Sequence, residues 1–279
     1  MAGGSRSRGH YALAFRGIVW RELLRFFQQR ERFFAALVRP LVWLFVFAAG
    51  FRAALGLSII PPYETYITYD VYIVPGLVAM IQLFNGMQSS LSMVYDREMG
   101  SMRVLLTTPL PRGFLLVSRL FAGVAVSLVQ VYTFLLIAHL WGVELPPMGY
   151  LTVLPALILT GMMLGALGML LASTIRQLEN FAGVMNFVIF PMFFASSALY
   201  PLWKIKENSP ILFQICQWNP FTYAVELVRV GLYGQVEPFA LGAVGGLLAL
   251  FLGAAIWAFD PAWGIQWRKR PGQSLFQAD

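Results

Sequence analysis

Long stretches of this chain carry no charged residue. Val71 to Tyr95, Leu120 to Val143, Leu145 to Ile175, Asn180 to Trp203 and Pro238 to Phe259 are each uncharged, and each is long enough for the about 20 mostly apolar residues that cross a bilayer core. A sixth stretch, Phe34 to Leu57, is apolar but holds Arg39 and Arg52 near its two ends, from which guanidinium stems are expected to snorkel to the headgroups. The pattern lacks the strict alternation of barrel strands and predicts an all-α integral membrane protein. The expected spans are about 34–57, 71–94, 115–141, 151–174, 181–200 and 238–259.

Ahead of the first span the period changes. Trp20, Leu23, Leu24 and Phe27 recur at i, i+3, i+4 and i+7, with Arg21, Arg25, Gln28 and Arg32 opposite. This predicts an amphipathic helix on the membrane surface, serving as an anchor or as a contact for a cytoplasmic partner through Arg21 and Arg25. The chain therefore divides into an arm and interfacial helix (1–32), a membrane domain (33–260) and a tail (261–279). Within the membrane domain, residues 201–237 mix charged, aromatic and apolar positions and are expected to form short helices dipping back into the interface.

Composition agrees with lipid as the main solvent. At 58% hydrophobic, 12% charged and a mean hydropathy of +0.68, the chain has too little polar side chain to cover a soluble globule of 279 residues. Six spans place both termini on one side, and that side collects sixteen of the 20 Lys and Arg residues. By the positive-inside rule both ends are cytoplasmic. The net charge of +7 is then a topological signal, and the basic residues are expected to meet anionic lipid rather than nucleic acid. No cleavable signal peptide is recognisable.

Chemistry inside the spans is sparse. The five clear spans have no Asp, Glu or Lys in their middles, which disfavours an ion-coupled transporter without excluding sodium sites built from carbonyls. None of the three lysines follows a glycine, so the chain has no phosphate-cradling P-loop and is not expected to be an enzyme by itself. The single cysteine, Cys216, permits neither an intrachain disulfide nor a cysteine metal cluster. Gln82, Asn85, Ser89 and Ser92 fall on one stripe of the second span. With Asn186 and Phe190 of the fifth span they are the candidate lining of a translocation path, the alternative being hydrogen bonds between helices of the bundle.

The loop 95–112 is too apolar for a free connector, with Met99, Met102, Val104, Leu105 and Leu106 in it. Its order of Glu98, Gly100-Ser101, Leu105-Leu106, Thr108-Pro109 and Arg112 resembles the corresponding loop of the type-2 ATP-binding-cassette (ABC) exporter permeases. The interfacial helix, the Pro191 to Pro201 stretch and Trp218-Asn219-Pro220-Phe221-Thr222-Tyr223 also sit where that family has them. The chain looks most like permeases for nodulation factors, O-antigen-type polysaccharides and drugs.

That resemblance implies a homodimer, or close heterodimer, of six-span subunits in a bacterial cytoplasmic (inner) membrane. Each subunit would rest on a separate ATPase that carries the ATP and magnesium, leaving no cofactor on this chain. It further implies a coupling helix at Arg97, Glu98, Gly100, Ser101, Met102 and Arg103, fitted to the ATPase. The expected cargo is an amphiphile: a lipid-linked glycan, polysaccharide, lipid or drug. An ion-driven secondary transporter and a non-transporting membrane scaffold are the competing readings.

Overall fold

The computed structural model describes residues 8–28, 30–51, 62–63, 67–98, 111–175 and 178–259. Among the described residues every regular element is a helix: α1 (Arg8–Gln28), α2 (Arg30–Phe51), α3 (Tyr69–Glu98), α4 (Arg112–Leu140), α5 (Gly149–Thr152), α6 (Leu154–Thr174), α7 (Leu178–Phe194), α8 (Leu202–Asn208), α9 (Pro210–Trp218), α10 (Pro220–Leu232) and α11 (Pro238–Phe259). Four helical stretches are long and apolar enough to cross a bilayer: Tyr69–Tyr95, Gly113–Leu140, Gly149–Thr174 and Pro238–Ala258. Two shorter apolar helices, Ala36–Val46 and Gly183–Phe194, fall within the expected first and fifth spans. Residues 52–57 of the expected first span lie outside the described residues.

The bundle is built around α3, which is buried along most of its length. It packs most extensively on α6 and also touches α2, α4, α7 and α10, while α6 carries α11 on its other side. Small residues allow the α3–α6 approach. A Cβ on Gly168 would meet the Gly86 carbonyl oxygen at 2.8 Å, a separation that only backbone against backbone produces. The largest buried side chains, among them Tyr69, Phe134, Phe193, Phe221 and Met87, fill the spaces between these helices. By contrast α11 is mostly exposed and leaves Leu250 and Trp257 on the surface. Lipid is the natural solvent for that face.

Helix α1 runs against the first half of α4 through edge contacts of Tyr11 with Phe114 and Phe15 with Phe121, at 5.2 and 5.7 Å between ring centroids. Its opposite face leaves Leu13, Trp20 and Leu24 exposed.

One sequence expectation needs correction, and Arg39 gains a contact within the bundle. Helix α2 starts at Arg30, so Arg39 is about 13 Å along it, and its guanidinium lies 3.9 Å from the ring centroid of Phe84, at the middle of α3. A cation–π contact receives it.

The fifth apolar stretch does not stay helical to residue 200. Helix α7 stops at Phe194, three residues after Pro191, and 195–200 turns back on the bundle. Non-helical backbone in a buried place must have its carbonyls satisfied, and here side chains do so. Tyr72 donates its hydroxyl to the Ser197 carbonyl at 3.0 Å, Tyr69 to that of Leu199 at 3.1 Å, and Arg229 Nη2 also to Ser197 at 2.9 Å. The turn lies so close on α3 that a Cβ on Gly76 would come within 2.7 Å of the Ala198 backbone.

Candidate functional site

The polar stripe of α3 divides by depth in the protein. Gln82 is spent entirely on α6: its Nε2 donates to the Leu157 carbonyl at 2.6 Å and its Oε1 accepts from Thr160 Oγ1 at 2.7 Å. Asn85 turns to α4, where its Nδ2 donates to Gln130 Oε1. Both are buried. An unsatisfied amide in an apolar interior costs several kcal/mol, on the order of 2–7, so these bonds fix the register of three helices.

Ser89 and Ser92 are half-buried. They border a small cavity of about 100 Å³ with Asn85, Gln88 and Gln130, closed on one side by Glu22 and Phe26 of α1. Asn186 and Phe190 are exposed on α7 and line neither this cavity nor the larger one described next. The structure thus groups Asn85, Ser89 and Ser92 on this cavity, places Gln82 with Ser89 at a much smaller void towards α6, and leaves Asn186 and Phe190 apart from them.

A second cluster, to which the sequence drew little attention, lies where the 195–200 turn meets α3 and α10. Arg229 on α10 is 4% exposed. It pairs through Nη1 with Glu226 one turn earlier, gives Nη2 to Ser197, and stacks over the Tyr72 ring at 4.4 Å. The Tyr63 ring stands edge-on to Tyr233, with centroids 5.0 Å apart, and near Tyr72.

Tyr63, Tyr72, Glu226 and Arg229 wall a cavity of about 340 Å³, together with Trp203, Tyr223, Glu237 and Phe239. Behind this wall Tyr63 Oη and Arg229 Nε are fully buried, with no other hydrogen-bond partner among the described residues. Burial pushes the Tyr63 phenol up, with Arg229 opposing and Glu226 reinforcing, so it stays protonated at neutral pH. The Glu237 carboxyl is likewise raised, by desolvation and then by the nearby Glu226 charge. An acid and an arginine at i and i+3 in an otherwise apolar helix, Glu226 and Arg229, were the available signal for this cluster.

Asn219 explains the Trp-Asn-Pro-Phe-Thr-Tyr run beside it. Its Oδ1 caps α10 by accepting from the Phe221 amide at 3.0 Å, with Pro220 at the first helical position. Its Nδ2 donates to the carbonyls of Met192 and Ala195, at 2.7 and 2.6 Å, at the end of α7. Thr222 and Tyr223 donate their hydroxyls back to Cys216 and Gln217 of α9. One short segment therefore joins three helices.

Of the expected ATPase contacts, Arg21 is paired with the adjacent Glu22 at 3.1 Å on the exposed side of α1. Gly100, Ser101, Met102 and Arg103 lie outside the described residues, as do the side chains of Arg25, Arg97 and Glu98, although α3 is helical through Glu98.

A bundle of long apolar helices with polar side chains turned inward is a multi-pass membrane protein. The chain belongs to the ABC-2 type transporter family, whose model matches residues 14–233. It is 31% identical over 204 residues to the transport permease ycf38 of Cyanophora paradoxa, covering 70% of this chain and 66% of that protein. It is 28% identical over 171 residues to the multidrug ABC transporter permease YbhR of Escherichia coli K12, covering 60% of this chain and 45% of the relative. To nodulation protein J of Rhizobium leguminosarum bv. viciae it is 24% identical over 209 residues, 71% of this chain and 74% of the relative. This chain is accordingly an ABC transporter permease.

Proposed function

We propose that this chain is the membrane half of an ATP-driven exporter, working as a pair of six-span subunits on a separate ATP-binding protein. The observation that carries the reading is the family match over 14–233, joined to a sequence with no Gly-Lys pair for a P-loop of its own. In this reading both termini are cytoplasmic, the membrane is a bacterial inner membrane, and α1 lies at its inner surface. Residues 95–112 fit the ATPase, with Glu98 and the Arg97 and Arg103 guanidinia orienting the contact and Gly100 allowing close approach.

The cargo is an amphiphile, moved outward. Support comes from α7, where exposed Asn186, Phe187 and Phe190 set a polar amide beside apolar rings. Such a face suits a molecule with a polar head and an apolar body. Transport follows only if the nucleotide states of the ATPase favour different conformations of the bundle.

The test is Glu98→Lys in the reconstituted complex. Transport-coupled ATP hydrolysis falls while insertion and the thermal unfolding of the chain stay unchanged. Undiminished hydrolysis removes the coupling role, and flux from the purified chain without any ATPase replaces the whole reading with an ion-driven one.

A further inference from the structure

One carboxylate on the larger cavity stands without a counter-charge. Arg229 and Glu226 neutralise each other, and the rest of the Arg229 guanidinium is taken by the Ser197 carbonyl and the Tyr72 ring. Glu237 lines the same cavity just ahead of α11 and has no ion-pair partner among the described residues. It is exposed to solvent, which keeps it ionised at neutral pH. Two carboxylates against one guanidinium leave the wall with a single negative charge in excess. Glu226 is near enough to push the Glu237 carboxyl up, a repulsion that a bound cation relieves.

The rest of this wall is largely aromatic. Trp203, Tyr223 and Phe239 line it, and the Tyr223 and Phe239 rings stand at 69° with centroids 5.7 Å apart, which makes a corner. The Tyr223 hydroxyl is already spent on the Gln217 carbonyl at 2.6 Å. Aromatic faces carry the negative part of the ring quadrupole and attract cations within about 6 Å of the centroid.

Charge and surface together narrow the occupant. An anion meets two carboxylates, and a neutral apolar molecule leaves Glu237 uncompensated. A small metal cation surrenders its hydration to rings that offer no oxygen in return. An alkylated ammonium group spreads its charge over methyl groups that pack on aromatic faces. At about 340 Å³ the cavity falls near the lower end of the ~300–1,000 Å³ typical of small-molecule sites, room enough for such a group with part of its attached chain.

We infer that this cavity binds an alkylated ammonium group, the chemistry shared by a choline lipid headgroup and a soluble organic cation. Glu237 supplies the counter-charge, Trp203 and the Tyr223–Phe239 corner cover the methyl groups, and Arg229 stays held by Glu226. The site goes beyond the transport reading and does not depend on it, because occupancy requires neither ATP nor a partner subunit.

The experiment uses the purified full chain in an uncharged maltoside detergent. Saturation-transfer NMR is recorded with choline, benzyltrimethylammonium, glycerophosphocholine and dimethylbutanol, the neutral carbon isostere of choline, each against protein-free micelles. Choline and benzyltrimethylammonium are expected to saturate, and the isostere to bind several-fold more weakly. Glycerophosphocholine separates the two sources: affinity equal to that of choline identifies a lipid headgroup, and weaker binding identifies a soluble cation. Glu237→Gln keeps the shape and removes the charge, so affinity for choline falls about two- to fivefold while that for the isostere does not. Trp203→Ala lowers choline affinity about two- to fivefold, and Trp203→Phe restores most of it. Both positions are exposed, so the variants should unfold thermally like the parent chain. The inference is overturned if neither cation saturates, if the isostere binds as tightly as choline, or if Glu237→Gln and Trp203→Ala both bind choline like the parent. Failure of this test leaves ATPase coupling at Glu98 untouched, and the converse also holds.

Discussion

Gly86 faces Gly165 where α3 crosses α6, so closely that a Cβ on Gly86 would lie 2.9 Å from the Gly165 Cα. The contact is backbone on backbone, and no rotamer change relieves it. Gly86→Ala should therefore separate the two helices at the point where Gln82 and Thr160 hold them in register. We expect a loss of about 1–3 kcal/mol, read by thermal unfolding in nanodiscs. Gly183→Ala, on α7 with open space around it, is the control and should leave the midpoint unchanged or raise it.

Arg229 and Glu226 form a buried pair whose halves are unequal in risk. Removing the cation leaves a half-buried carboxylate without its counter-charge and leaves the Ser197 carbonyl to Tyr72 alone, so Arg229→Met should cost up to roughly 3 kcal/mol. The double variant Arg229→Met with Glu226→Leu should recover most of that loss, because an apolar pair has no desolvation penalty to meet. Chemical or thermal unfolding of the three variants forms the cycle. A double variant as unstable as the single one would mean that the Ser197 and Tyr72 contacts, not the ion pair, carry the stability.

The two roles of Asn219 can be separated by one atom. Asn219→Asp keeps an oxygen to cap α10 but loses the amide protons given to Met192 and Ala195, whereas Asn219→Ala loses both. Hydrogen exchange should show the Phe221 region protected in the first variant and exposed in the second, with the end of α7 loosened in both. A stability loss of about 0.5–2 kcal/mol is expected for the missing cap alone.

Arg39 gives a prediction of small effect. It is exposed, and its stack on Phe84 is worth about 0.5–1 kcal/mol in that setting. Arg39→Gln should therefore fold and insert normally, with an unfolding midpoint close to that of the parent. A collapse of expression would instead reveal a partner for the guanidinium supplied by another chain.

Much of this architecture could be read from the chain because charge is expensive in lipid. Runs without charge marked the helices centred on Gln82, Val126, Gly161 and Leu248, and polar positions on α3 announced contacts in the bundle. The fifth span was misjudged for a reason of the same kind. Residues Ala195 to Tyr200 are apolar enough to be helical in lipid, but their carbonyls find Tyr69, Tyr72 and Arg229, more than thirty positions away in the case of Arg229 and more than a hundred for the tyrosines. No local pattern records a hydrogen bond made at that distance. The stripe on α3 was legible as a set, yet its division into bundle bonds and cavity wall depended on which helix came to lie opposite each residue. The family loop at 95–112 was read from residue order alone.

The turn at 195–200 has a mechanical consequence. Its oxygens are gripped from two directions, so the end of α7, the start of α3 and the body of α10 swing together or not at all. A rocking motion in this subunit would then have its fulcrum elsewhere, and the exposed side of α2 is the part left free to slide.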